Sequence, residues 1–159
     1  VEIGVFGGRS AIPIALAHKY LGFGNMVAID PWSKEASIEG YQGQDKEWWE
    51  KIDHDKIYEV FMRQVTERAL ENVTTVLRAK SDDVQPPTQI GLLHIDGQHT
   101  EQAVRDVQRF AVNVVRGGFV VADDITWPGG GVQRAVTLLK SIGFIQLYEL
   151  GTGAVFQRL

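Results

Sequence analysis

Short apolar runs alternate with segments of helical periodicity along most of this chain, and this alternation constrains its fold more than any other feature. The strand-length runs lie at residues 1–6, 26–29, 73–77, 90–95 and 119–122. Apolar residues recur at helical spacing between them, most clearly at 57–65, 99–115 and 132–142. Repeated strand-helix-strand units place their strands side by side in a parallel sheet. The pattern therefore predicts an α/β fold.

The end of the chain departs from this alternation. Residues 144–150 and 154–159 are two further apolar runs, separated only by Gly151, Thr152 and Gly153. Two strands joined by a glycine-containing turn form an antiparallel hairpin. We expect a Rossmann-like, doubly wound sheet that is mostly parallel and ends in this hairpin. With 159 residues and no visible linker or repeat, residues 1–159 are predicted to form a single domain.

Composition excludes several functional classes. The net charge of −4 gives no electrostatic footprint for nucleic acid or an anionic membrane. The absence of cysteine removes disulfides, thiolate metal sites and cysteine nucleophiles. No apolar run reaches the roughly 18 residues that span a bilayer, and no signal peptide is visible, so a cytoplasmic location is expected. The sequence starts at Val1, inside a strand pattern and without Met, so we expect native N-terminal elements to be missing.

Acidic residues close two of the apolar runs. Asp96 follows the run at 92–95, and Asp123 and Asp124 follow the run at 119–122. Carboxylates at the ends of buried strands are costly unless something neutralises them. Open α/β sheets bind ligands outside the carboxyl ends of their strands, and oxygen ligands suit a hard cation such as Mg²⁺. Each aspartate alone is equally explained as a loop cap; the three together favour a metal site.

The first strand-to-helix turn and the end of the second strand have the features of a nucleoside site. Gly4, Gly7 and Gly8 follow a G-x-x-G-G spacing, which differs from the GxGxxG of dinucleotide oxidoreductases. Glu2, inside the first strand, needs a partner such as a backbone amide or a ligand ammonium. Asp30 ends the second strand, where a carboxylate accepts hydrogen bonds from ribose hydroxyls. The alternative is a tight turn and a strand-ending aspartate without a ligand.

Four segments carry a resemblance to a known family. Residues 1–10 (VEIGVFGGRS) and 28–32 (AIDPW) resemble the class I S-adenosylmethionine-dependent methyltransferases. Residues 94–100 (HIDGQHT) and 121–125 (VADDI) resemble the metal-dependent O-methyltransferases of that class. This group, of the methyltransferase family 24 type, includes the sugar O-methyltransferases of macrolide and aminocoumarin biosynthesis and, more distantly, catechol O-methyltransferase. The resemblance implies a seven-stranded sheet whose last strand is antiparallel.

The resemblance also implies roles for individual residues. Glu2, Gly4 and Gly7 would line the methionine moiety, Asp30 would hold the ribose, and Ser81 and Asp82 match the adenine contacts. The full implied cofactor-binding set is Glu2, Gly4, Gly7, Ser10, Asp30, Ser81, Asp82 and Asp96. The implied ligands of Mg²⁺, or another divalent cation, are Asp96, Asp123 and Asp124, with substrate hydroxyls completing the shell.

His99 matches the general base of these enzymes, which is His in the sugar type and Lys in the catechol type. It lies three residues after Asp96, at the predicted start of the next helix. A helix N-terminus disfavours the imidazolium form and so favours a proton-accepting ring. Catalysis is therefore assigned to His99 and Asp96. The alternative is an exposed histidine at a helix start.

Other histidines and aromatic residues allow two interpretations. His94 is predicted to be a core residue, and His18 and His54 to lie on helix surfaces. Trp127 and the glycines after it are either a wall of the acceptor pocket or a turn with an anchoring tryptophan. Trp48 and Trp49 form either a lid over the cofactor or an apolar patch that meets a missing N-terminal segment or a second subunit.

The sequence therefore predicts a Mg²⁺- and S-adenosylmethionine-dependent O-methyltransferase. Its acceptor would be a small hydroxylated molecule, a sugar or glycosylated natural product in preference to a catechol, because the base position holds His and the acids form an Asp-Asp pair. Three alternatives remain: a catechol or phenolic O-methyltransferase, a relative resembling cephalosporin hydroxylase, and a non-catalytic cofactor-binding or assembly subunit. Retention of the three aspartates and His99 argues against the last.

Overall fold

The computed structural model describes residues 1–159 and contains seven strands and six α-helices. The strands are β1 (Glu2–Ile3), β2 (Met26–Ile29), β3 (Thr74–Leu77), β4 (Ile90–Ile95), β5 (Val114–Ala122), β6 (Phe144–Leu150) and β7 (Gly153–Arg158). The helices are α1 (Ala11–Leu21), α2 (Lys34–Ile38), α3 (Gly43–Glu50), α4 (His54–Glu67), α5 (Glu101–Phe110) and α6 (Gly131–Ser141). Three short 3₁₀ turns lie at Glu71–Val73, Ser81–Asp83 and Ala111–Asn113.

The strand order is β3-β2-β1-β4-β5-β7-β6. Strand β2 is parallel to β1 and β3, and β4 is parallel to β5. Strand β7 is antiparallel to both β5 and β6. The predicted seven-stranded, mostly parallel Rossmann-like sheet with an antiparallel C-terminal hairpin is confirmed. No helix has the length and apolar character that crossing a membrane requires.

The first of two compact units comprises Glu2–Ser81. Its core forms around Trp32, which is 1% exposed, and its ring stacks on Phe61 with centroids 5.4 Å apart. Helix α4 supplies Phe61 and Val65 to this core at helical spacing, as the sequence predicts. Burial of these large side chains holds the loop after β2 against helix α4.

The second unit comprises Asp82–Leu159 together with Val1. Strands β4 and β5 pair in register from Leu92–Phe119 to Ile95–Ala122. Helices α5 and α6 bury Val107, Phe110 and Leu139. The register brings the ends of two parallel strands level with each other, which is the feature that positions the acidic residues described below.

Several predicted element boundaries are wrong. The first strand ends at Ile3 because Gly4 and Phe6 take positive φ angles of 86° and 48°, outside the extended region. The helix predicted to reach residue 115 ends at Phe110, and Gly117 and Gly118 lie within β5. There Gly117 has φ 77°, and the β4–β5 register shifts between Ile90 and Leu92. The two glycines therefore lie at an irregularity of strand β5.

Two helices were not foreseen. The polar stretch after β2, whose sequence shows no clear periodicity, contains α2 and α3. Helix α2 is short and capped by Ser33, whose hydroxyl accepts a hydrogen bond from the Ala36 N–H. Helix α3 buries none of its residues, so the apolar periodicity by which a helix is recognised is absent from its sequence.

Candidate active site

Strands β4 and β5 end side by side, and each continues into an aspartate. Ile95 pairs with Ala122, and the Asp123 N–H donates to the Ile95 carbonyl at 3.0 Å. This bond extends the parallel ladder by one residue beyond the strands. Asp96 and Asp123 therefore emerge from adjacent strand ends, as predicted from the sequence.

The Asp123 carboxylate is fixed by its own loop and by the β6–β7 turn. Its Oδ1 accepts hydrogen bonds from the Asp124 N–H at 2.8 Å and from the Thr152 hydroxyl at 3.1 Å. The Thr152 carbonyl in turn accepts from the Ile125 N–H at 2.8 Å. Asp124 has φ 50°, a left-handed conformation that aspartate tolerates better than most residues.

Potential ligand atoms converge in two overlapping groups. One contains His94, Asp96 and Asp123, and the other contains Asp96, His99 and Asp124. Within each group the ligand atoms lie within 4.8 Å of one another. The structure thus brings all three aspartates predicted to bind metal into one cluster, with Asp96 common to both groups.

His94 belongs to this cluster, although the sequence assigned it to the core. It is buried, with 8% exposure, and it precedes Asp96 by two positions along β4. Side chains two residues apart in a strand point to the same face. That spacing was the available signal, and the apolar neighbours of His94 obscured it.

His99 lies against Asp124 and Trp127. Its Nε2 is 3.0 Å from Asp124 Oδ2, and its side chain is 12% exposed. The rings of His99 and Trp127 have centroids 4.3 Å apart at an angle of 37°. Helix α5 begins at Glu101 with Thr100 as its N-cap, so His99 precedes the helix and is not part of its first turn. The exposed helix-start alternative is wrong, because His99 is mostly covered.

The loop after Asp124 is anchored at several points. The Trp127 N–H donates to the Asp124 carbonyl at 2.8 Å, and the Gln133 side chain donates to the carbonyls of Ile125 and Trp127. Gly131 begins α6 where a Cβ would lie 2.3 Å from the His99 carbonyl oxygen. Only glycine allows this approach of α6 to the His99 backbone. Trp127 therefore packs on His99 from an anchored loop.

Asp30 links two turns of the first unit. Its Oδ2 accepts from the Phe6 N–H at 2.9 Å, and its Oδ1 accepts from the Trp32 N–H at 2.7 Å. Burial raises the pKa of the Asp30 carboxyl, while these hydrogen bonds and the nearby His54 act in the opposite direction. The carboxylate thus holds the ends of β1 and β2 as well as being available to further donors.

Glu2 and Ser10 interact directly. Glu2 is fully buried, and its Oε1 accepts a hydrogen bond from the Ser10 hydroxyl at 2.7 Å. Ser10 directly precedes helix α1, but its side chain makes no capping hydrogen bond because the hydroxyl donates to Glu2. Gly4 has φ 86°, and no heavy atom lies within 4 Å of a Cβ built at Gly7. The turn after β1 therefore leaves space at Gly7 for a ligand.

Ser81 and Asp82 open the short 3₁₀ turn after β3. Ser81 is buried, with 6% exposure. The Asp82 carboxylate accepts from Gln102 at 3.2 Å and lies 3.4 and 3.5 Å from Arg105 and Arg109 of helix α5. Asp82 therefore contacts three side chains of α5, an arrangement that the sequence did not indicate.

The family model for a methyltransferase domain matches residues 1–125. The chain belongs to this methyltransferase family. The match confirms the resemblance to S-adenosylmethionine-dependent methyltransferases and the prediction that the chain is such an enzyme. No curated protein matches the sequence.

Solved structures share the fold at low sequence identity. The O-methyltransferase NovP is 19% identical, with a TM-score of 0.72 over 99% of this chain and 70% of that one. TomG from Streptomyces achromogenes is an O-methyltransferase of tomaymycin synthesis whose structure was solved with S-adenosylmethionine. It is 16% identical, with a TM-score of 0.63 over 99% of this chain and 71% of TomG. CalS11, a TDP-rhamnose 3′-O-methyltransferase of calicheamicin biosynthesis, is 17% identical, with a TM-score of 0.58 over 98% of this chain and 70% of CalS11. The fold of this methyltransferase is thus that of O-methyltransferases.

Proposed function

We propose that this methyltransferase is a divalent-cation-dependent O-methyltransferase that transfers a methyl group from S-adenosylmethionine to a hydroxyl of a small acceptor. The observation that carries the proposal is the cluster at the ends of two parallel strands, in which Asp96 lies with Asp124 and His99 in one group and with Asp123 and His94 in the other. A methyltransferase that only bound its cofactor would not need Asp123, Asp124 or His99.

The donor set fits a hard divalent cation. Three carboxylates from adjacent strand ends offer oxygen ligands, which Mg²⁺ prefers. The Asp123 Oδ1 already accepts two hydrogen bonds, so its second oxygen is the one we assign to the metal. When bound, the cation would lower the pKa of an acceptor hydroxyl and orient its oxygen. Mg²⁺ is the metal that we propose.

We assign proton abstraction from the acceptor to His99. Its Nε2 lies 3.0 Å from Asp124 Oδ2, and the Trp127 ring covers one side of the imidazole. Both contacts restrict the ring to one orientation, which a general base requires. In this arrangement Asp124 positions His99 as well as contributing an oxygen to the metal.

Cofactor binding is assigned mainly to the first unit. Asp30 would accept hydrogen bonds from the ribose hydroxyls, and Glu2, Gly4, Gly7 and Ser10 would form the methionine side of the site. The open space at Gly7 and the fixed Glu2–Ser10 pair support this assignment. Ser81, Asp82 and Asp96 complete the proposed set. Residues 1–159 are taken as one functional domain.

A sugar or glycosylated natural product is the acceptor class that we propose. Support comes from CalS11, which is described as a TDP-rhamnose methyltransferase and shares the fold. The histidine at the base position and the paired aspartates at 123 and 124 also favour the sugar type over the catechol type, by the resemblance described above. The net charge of −4 offers no attraction to nucleic acid.

An acceptor panel tests the proposal. The protein is incubated with S-adenosylmethionine labelled in its methyl group, Mg²⁺, and nucleotide sugars, glycosides, catechols or carboxylic acids. We expect label in a product that carries a new O-methyl ether on a sugar hydroxyl. Transfer only to catechols would replace the sugar assignment, and transfer only to nitrogen or carbon acceptors would contradict the O-methyltransferase proposal.

A further inference from the structure

Phe6 has a backbone conformation that large side chains rarely adopt. Its φ is 48°, in the left-handed region, and its side chain is 40% exposed. The backbone is held at both polar groups: the N–H donates to Asp30, and the carbonyl accepts from the Trp32 indole at 2.8 Å. Strained residues that are held in this way cluster at ligand sites. The fixed backbone presents an exposed aromatic ring beside Asp30.

Trp49 lies next to this ring. The Phe6 and Trp49 centroids are 6.0 Å apart at 87°, an edge-to-face contact. On helix α4, His54 is 7% exposed, and its ring is nearly parallel to Trp49, at 14° and 6.1 Å. The His54 Nε2 also lies 3.4 Å from the Trp49 carbonyl oxygen. His54 was predicted to be a surface residue, but it is buried and supports Trp49.

We infer that Phe6 and Trp49 form an aromatic wall of the cofactor site and contact the nucleoside half of S-adenosylmethionine. The inference rests on the proposed role of Asp30, because the Phe6 N–H and the Asp30 carboxylate are 2.9 Å apart. A ligand whose ribose binds Asp30 would lie next to the Phe6 backbone, and the Phe6 ring contacts Trp49. Aromatic faces bind nucleobases and sugars without requiring specific hydrogen bonds.

The same contacts distinguish Trp49 from Trp48. Trp48 is 53% exposed, and the ring contact found for it is the edge-to-face one with Trp49, at 4.8 Å. Trp49 contacts Phe6 in the glycine-rich turn, whereas Trp48 extends toward solvent. Of the two sequence interpretations of this pair, the cofactor lid is therefore assigned to Trp49 alone. Trp48 is a matched control with the same side chain in the same helix.

Calorimetric titration with two probes tests the wall. S-adenosylhomocysteine contains the nucleoside and the amino acid, whereas 5′-methylthioadenosine contains only the nucleoside. We expect Trp49→Ala to weaken the affinity for each probe by the same factor, roughly ten-fold or more. Trp48→Ala should keep the affinity for each probe within about two-fold of the wild-type value. Trp49→Phe retains a ring and should keep most of the affinity. This variant separates loss of the wall from loss of the fold, which thermal melting of each variant without ligand also monitors.

Other outcomes contradict the inference. If Trp49→Ala binds both probes with wild-type affinity, this surface serves another partner, whether or not the oligomeric state changes. Weaker binding of S-adenosylhomocysteine alone would place Trp49 against the amino acid half. A wild-type protein that binds neither probe would overturn the proposed function itself. If the wild-type protein binds both probes and the affinities of Trp49→Ala equal those of Trp48→Ala, the aromatic wall is contradicted and the proposed function is not.

Discussion

Asp30 shows how one half-buried side chain serves both the fold and a proposed ligand. Its two oxygens accept N–H groups of Phe6 and Trp32, the two residues of this turn region that have positive φ without being glycine. The hydrogen bonds offset part of the strain that such conformations store. The same carboxylate retains lone pairs for ribose hydroxyls. Substitution of Asp30 should therefore affect both stability and cofactor affinity.

Asp30→Ala should weaken binding of S-adenosylhomocysteine by about 1–3 kcal/mol, because a charged acceptor of ribose hydroxyls is lost. Isothermal titration calorimetry measures the change, and Asp45→Ala, on the exposed surface of α3, is the control. Identical affinities in the Asp30 variant and the wild type would remove the ribose assignment.

The raised pKa of Asp30 predicts a pH dependence of stability. The folded state binds this proton more tightly than the unfolded chain does. The contribution of Asp30 to the free energy of unfolding is therefore largest below the unfolded pKa of about 3.9 and is lost as pH rises through the folded pKa. Urea denaturation should show the wild-type free energy of unfolding falling relative to that of Asp30→Asn as pH rises above about 4. A wild-type free energy of unfolding that rises relative to that of Asp30→Asn over this pH range would contradict the prediction.

His99→Ala should lower kcat by roughly 10²–10⁴, the usual effect of losing a positioned general base. Affinity for S-adenosylhomocysteine should stay unchanged, because cofactor binding is assigned to other residues. Steady-state kinetics and calorimetry together test this, with His18→Ala in helix α1 as the control. If the His99 variant keeps most of its activity, the proton acceptor is another group, with Asp96 the next candidate.

At the scale of elements, helix α6 depends on one glycine for its position against the active-site backbone. A Cβ at Gly131 would lie 2.3 Å from the His99 carbonyl oxygen and 2.4 Å from that of Thr100. Neither atom belongs to a flexible side chain, so the helix or the loop must shift. The N-terminus of α6 and the His99 segment are therefore coupled by packing.

Gly131→Ala should cost about 1–3 kcal/mol of stability, the usual range for overpacking, and should also lower kcat by displacing His99. Gly129→Ala lies in the same loop, where no heavy atom is within 4 Å of its Cβ position, although its φ of 105° adds backbone strain. Thermal denaturation and kinetics of both variants separate the clash from the strain. Wild-type stability and kcat in Gly131→Ala would show that the contact with His99 does not matter.

The sequence predicts elements well where a residue pattern determines them. Strand β4, helix α4 and the C-terminal hairpin follow from apolar runs, helical spacing and a glycine turn. Helix α3 does not, because it buries none of its residues and so shows no apolar face. The end of β1 depends on the positive φ of Phe6, which requires Asp30 and Trp32 from a segment more than twenty residues away.

The candidate site was predictable to a similar extent. Asp96 and Asp123 follow two strands that are neighbours in the sheet order implied by the family resemblance, and the structure has these strands side by side. The contacts of His99 with Trp127, of His54 with Trp49 and of Asp82 with α5 depend on tertiary packing. Such contacts between loops and helices leave no periodic signal, so they became visible only in the structure.

At the scale of the whole molecule, the family match and the strand order agree on a methyltransferase. The proposed cofactor residues Glu2 to Asp30 lie in the first compact unit, and the proposed metal ligands and base lie in the second. Loss of Asp123 or Asp124, the two proposed metal ligands that have no proposed cofactor contact, should therefore abolish methyl transfer while leaving cofactor affinity intact.

The most direct test compares wild type and Asp123→Asn in methyl transfer with and without EDTA. Asparagine retains the Oδ1 that accepts hydrogen bonds from Asp124 and Thr152, so the loop should keep its structure. We expect EDTA to abolish wild-type activity, Mg²⁺ to restore it, and Asp123→Asn to be inactive with unchanged affinity for S-adenosylhomocysteine. Full wild-type activity in excess EDTA would contradict the metal site and leave only acid–base methyl transfer.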